Sequence, residues 1–175
     1  MSSDKTMLPA AALYVLPFIF AVALAIWLVR SGNRVSETDR NRLAVLFLAG
    51  IACQCLHFGE EYVTGLYNYF PPLPGGMRLT AGLFAGFNLF WIGIWLLSAW
   101  GIRHNLRIAW LPAWFFGLAM CLNGVAHPLL AIRAGGYFPG LITSPVVGIA
   151  GFLVTRKLYR HSISGVAQIP DISDK

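Results

Sequence analysis

The run Leu43-Ala44-Val45-Leu46-Phe47-Leu48-Ala49-Gly50-Ile51-Ala52-Cys53-Gln54-Cys55-Leu56-His57-Phe58-Gly59-Glu60-Glu61-Tyr62 decides the fold. No charge interrupts it before Glu60. Twenty helical residues at a rise of ~1.5 Å reach ~30 Å, the thickness of the bilayer's hydrocarbon core. Runs of similar length and character lie at 8–29, 79–100, 108–132 and 136–155, and the run 43–62 has room for one more turn to Leu66. The sequence therefore predicts an all-α, polytopic membrane bundle of five transmembrane helices, forming one membrane domain over 1–175. Composition agrees: 57% of the residues are hydrophobic and only 11% charged, which excludes a water-soluble globular domain.

Ala21, Ala23 and Ala25 offer small-residue cleavage patterns in the first run, but it continues through Ile26, Trp27 and Leu28 to Arg30, so a retained span is expected. Counted over alternate sides of the five spans, ten Lys and Arg fall on one side and three on the other. The positive-inside rule then places the N-terminus outside and the C-terminus in the cytoplasm, with 161–175 a polar cytoplasmic tail. The bases are scattered among loops and form no stripe, which argues against nucleic acid as a partner. Cys53, Cys55 and Cys121 lie inside apolar runs and read as buried thiols. The two outer loops share Tyr-Phe-Pro, at Tyr69-Phe70-Pro71 and Tyr137-Phe138-Pro139, too short a match to establish a repeat.

The chemistry concentrates at the end of the quoted run. An ionised side chain at bilayer depth costs about 2.5–3.5 kcal/mol or more, and adjacent carboxylates repel. Glu60 and Glu61 therefore need a proton, a cation or water at the outer rim. His57 stands three and four residues before them, so one helix face carries an imidazole and both carboxylates. Asn123 and His127 repeat the four-residue spacing in the fourth span. By helical rise, His57 lies ~21 Å from the cytoplasmic start of its span and Asn123 ~22 Å from that of its own. Tyr137 and Thr143 enter the fifth span from the same outer side.

Three motifs occur in order: His57-Phe58-Gly59-Glu60-Glu61, Asn123-Gly124-Val125-Ala126-His127, and Tyr137-Phe138-Pro139-Gly140-Leu141-Ile142-Thr143. As a set, over about 43–155, they resemble the bacterial membrane proteins defined by the H-x-x-E-E, N-x-x-x-H and Y-x-P-G-x-x-T motifs. That resemblance implies a shared site and a bacterial inner membrane, and no particular reaction. A looser likeness, in site chemistry alone, is to intramembrane CAAX-type proteases with an E-E-x-x-x-R motif; here Gly65 stands where the Arg would fall.

The reading drawn from these residues is a metal-dependent membrane hydrolase acting on a lipid-like or membrane-embedded substrate. His57, Glu61 and His127 would bind a divalent metal ion, zinc or iron. Glu60 would act as general base on an activated water, with Asn123, Tyr137 and Thr143 orienting the substrate. The alternatives are a b-type haem electron carrier ligated by His57 and His127, a proton-coupled transporter using His57, Glu60 and Glu61, and a structural membrane protein whose polar groups join helices.

Overall fold

The computed structural model describes Leu8 and residues 12–30, 35–73 and 75–164. Lys5, Arg34 and the part of the expected tail from 165 to 175 lie outside the described residues. Five α-helices follow one another: α1 Ala12–Arg30, α2 Glu37–Val63, α3 Ala81–Arg103, α4 Trp110–Ala134 and α5 Ser144–Ser164. Three segments are long and apolar enough to cross a membrane: Glu37–Val63, Ala81–Arg103 and Arg107–Ala134. The apolar stretch of α1, Tyr14–Leu28, is shorter.

Local chemistry sets the boundaries. Ser36 caps α2 by accepting from the Asp39 N–H at 3.2 Å, and Thr80 caps α3 by accepting from that of Leu83. α2 does not run on to Leu66, because Gly65 turns left-handed at φ 75° and starts a separate 3-10 turn, Leu66–Tyr69. α4 closes on Gly135 at φ 69°, a position that favours glycine.

The fifth helix departs most from expectation. A span over 136–155 was predicted, yet residues 136–143 are not helical, and α5 begins at Ser144 and runs on to Ser164. Gly140 at φ 86° breaks the run, and Glu60 of α2 captures the backbone N–H groups of Ile142 and Thr143. The resulting turn folds back over the end of the bundle.

Among the described residues, α4 and α5 make the most extensive helix pair. A methyl group on Gly124 would lie 2.7 Å from the Cα of Gly148, and one on Gly151 would lie 2.6 Å from the Cβ of Met120, so only glycine permits this approach. α5 also packs on α2, α3 lies against α2, and α1 lies against α4. Phe47, Trp95, Phe115 and Phe116 fill the centre with edge-to-face and tilted ring contacts, including Phe47–Phe116 at 5.1 Å between centroids. At one end, Lys157 of α5 meets Asp39 of α2 at 3.2 Å. At the other end, the two Tyr-Phe-Pro stretches pack on each other, with the rings of Tyr69 and Phe138 5.1 Å apart.

Candidate metal centre

α5 lies alongside both α2 and α4, and its late start removes it from between them at one end. Into that gap project His57 and Glu61 of α2 and His127 of α4. The three are buried, at 0%, 6% and 5% exposure. The Nε2 atoms of His57 and His127 lie 3.3 and 3.2 Å from the same oxygen, Oε1 of Glu61. The imidazoles meet edge to face, with centroids 4.8 Å apart. One ligand atom from each of the three falls within 4.8 Å of the others, a group that could hold a metal ion.

The turn before α5 supplies the supporting shell. Nδ1 of His127 is 2.6 Å from the Pro139 carbonyl oxygen, and Nδ1 of His57 is 2.8 Å from Oγ1 of Thr143. Gly140 lies against both rings: a methyl group there would sit 2.5 Å from Cε1 of His127 and 2.9 Å from Cε1 of His57. Glu60 holds this turn in place. Its carboxylate accepts from the Tyr137 hydroxyl at 2.6 Å, the N–H of Ile142 at 3.0 Å, the N–H of Thr143 at 2.8 Å and the Thr143 hydroxyl at 2.5 Å.

These contacts place a hydrogen on each Nδ1. A backbone carbonyl only accepts, so His127 Nδ1 carries a hydrogen. The single hydroxyl hydrogen of Thr143 goes to Glu60, so Thr143 accepts from His57, and His57 Nδ1 also carries a hydrogen. In the neutral imidazoles both Nε2 atoms are then bare lone pairs, and both face an oxygen of Glu61. His57 Nε2 is fully buried with no hydrogen-bond partner. Three electron-pair donors converging in a buried space repel unless a positive charge lies among them. Added protons or a cation would supply it. Metal-bound histidines show the same arrangement, with the far ring nitrogen donating to a carbonyl or another acceptor.

Of the residues singled out in the sequence, His57, Glu61 and His127 thus meet directly, and Glu60, Tyr137 and Thr143 form the shell around them. Asn123, one turn from His127 on α4, is half-buried and stands outside this hydrogen-bonded set. Beyond the residues singled out individually, the Pro139 carbonyl and Gly140 of the Tyr137–Thr143 motif lie against the imidazoles, and Gln54 shares a helix stripe with His57 and Glu61. The Pro139 carbonyl is a backbone atom, and Gly140 reads in sequence as a turn former. Gln54 is 3% exposed with an unpartnered Oε1, and lies three residues before His57 and seven before Glu61. That spacing on one helix stripe was the available signal. Compared with known protein families, curated proteins and solved structures, the chain matches none.

Proposed function

We propose that this chain is a metal-dependent enzyme of the bacterial inner membrane, with His57, Glu61 and His127 holding a divalent ion near the outer face. The observation that carries the reading is the convergence of two Nε2 lone pairs on one carboxylate oxygen, with both Nδ1 atoms already committed as donors. Two imidazoles and a carboxylate suit zinc or iron and leave a coordination position open. Such an ion supplies Lewis acidity to a hydrolysis. Glu60 keeps the turn closed and, through Thr143, keeps His57 in the tautomer that offers Nε2 inward. With four donors already on its carboxylate, Glu60 fits a positioning role better than that of the general base.

Tyr137 and Ile142 are 50% and 73% exposed beside Glu60, and Tyr62 and Val63 of α2 are exposed on the same end of the bundle. This apolar rim favours a lipid-like or membrane-embedded substrate. The edge-to-face approach of the imidazoles leaves no slot for a macrocycle between them, which favours a bare ion over haem. Each of the three motifs that resemble the H-x-x-E-E proteins supplies a residue to this one place, with Asn123 of the second standing outside it.

The test is the metal content of the protein purified in mild detergent, measured by mass spectrometry for wild type, His57→Ala and His127→Ala. About one zinc or iron per chain in wild type, and its loss in both variants, is expected. Wild type that stays metal-free after incubation with either ion overturns the reading and leaves a proton relay or a structural polar knot.

A further inference from the structure

We infer that Gln54 is a positioning residue of the same centre, its carbonyl oxygen holding the water that completes the cation's coordination from the side facing the middle of the bundle. The inference rests on the metal reading above. Gln54 is 3% exposed, and its Oε1 has no hydrogen-bond partner. A buried amide oxygen without a partner gives up its hydration for nothing in return, so an apolar residue would serve better if packing were its purpose.

Its place is fixed by the contacts above and below it. On α2, Phe47, Gly50, Gln54, His57 and Glu61 fall on one stripe, spaced by three and four residues. On α4, Phe116, Met120, Asn123 and His127 do the same. The stripes meet where Phe47 touches Phe116, and a methyl group on Gly50 would lie 3.0 Å from the Phe116 ring. They meet again where His57 touches His127. Gln54 lies between these two meeting points, ~4.5 Å below His57 along the helix axis, and Asn123 is the residue of the α4 stripe nearest its level. Each histidine thus has an amide side chain one turn beneath it, Gln54 under His57 and Asn123 under His127.

The turn Tyr137–Thr143 closes the opposite side of the centre, where Pro139, Gly140 and Thr143 touch the imidazoles. A fourth ligand is therefore best accommodated toward Gln54. A water there gives its oxygen lone pair to the cation and one hydrogen to Gln54 Oε1, which satisfies both.

The experiment is a Co²⁺ titration of detergent-purified protein, followed by the visible absorption of the bound ion, on wild type, Gln54→Met, Gln54→Asn and Gln54→Glu. Gln54→Met removes the acceptor at similar volume, Gln54→Asn withdraws it by one methylene, and Gln54→Glu keeps an oxygen in place. We expect Gln54→Met and Gln54→Asn to bind Co²⁺ about tenfold more weakly with an altered visible band, and Gln54→Glu to recover wild-type affinity. Wild-type affinity and band in Gln54→Met, with an equal or higher Tm, would make Gln54 a dry packing residue and overturn the inference. Where Gln54→Met does not fold, unchanged binding by Gln54→Asn overturns it equally. Wild type that binds no Co²⁺ removes the metal reading itself, and this inference falls with it.

Discussion

At Gly140 a side chain has nowhere to go. Its φ of 86° disfavours any residue with a Cβ, and an added methyl group would press on both imidazoles at once. Gly140→Ala is therefore expected to destabilise the protein by about 1–3 kcal/mol and to abolish metal retention, as read by thermal unfolding and metal analysis. Thr143 acts by relay, accepting from His57 while donating to Glu60. Thr143→Val keeps the shape and loses both bonds, so metal affinity is expected to fall about 10–100-fold with little change in helical content. Thr143→Ser is expected to restore most of it. Tyr137 gives a pH signature. Its partial desolvation and the neighbouring Glu60 carboxylate hold the phenol above its ordinary value, so the fold favours the neutral form. That contribution is intact below about pH 10 and lost as the pH rises through the folded value. Thermal stability should thus decline more steeply above about pH 10 in wild type than in Tyr137→Phe.

Among the elements, the pairing of α4 with α5 determines whether the centre exists. Gly124 and Gly148 allow the two backbones to touch, and Thr155 Oγ1 stands where a methyl group on Gly117 would go. Gly124→Val should push α5 away and withdraw the Pro139 and Thr143 acceptors from the histidines. Its expected outcome is loss of bound metal together with a lowered Tm in detergent. The apolar runs made the helices legible in the sequence, because length and hydropathy alone define a span. The four-residue spacings of His57 with Glu61 and Asn123 with His127 likewise pointed to the three residues of the candidate cluster, with Asn123 falling outside it. The start of α5 was set too early because residues 136–143 are apolar enough to be counted into the span, whereas Gly140 at positive φ and the Glu60 carboxylate, distant in sequence, together hold them as a turn. Pro139 stood within the quoted motif, but what its carbonyl does could not be read there, because backbone acceptors leave no trace in residue identity. Gln54 was passed over because one uncharged amide in an apolar run reads as tolerable.

For the whole molecule, the proposed metal binding would be linked to stability. An ion held only by the folded state, at about a hundred times its Kd, stabilises by about 2.7 kcal/mol, so chelation should lower the Tm of wild type and leave that of His57→Ala unchanged. The orientation assigned from the charge distribution is checked by labelling. With Cys53, Cys55 and Cys121 replaced, a cysteine introduced as Arg133→Cys is expected to react with a membrane-impermeant maleimide on intact cells, and one introduced as Arg156→Cys only after permeabilisation. The order in which the chain is made adds a constraint of its own. His57 is synthesised 86 residues before Thr143, and His127 12 residues before Pro139. Neither ring has its Nδ1 partner until the last hairpin has been inserted. On the proposed metal reading, a centre completed only by the last hairpin would take up its ion after that hairpin is in place, from the side that its finished end faces.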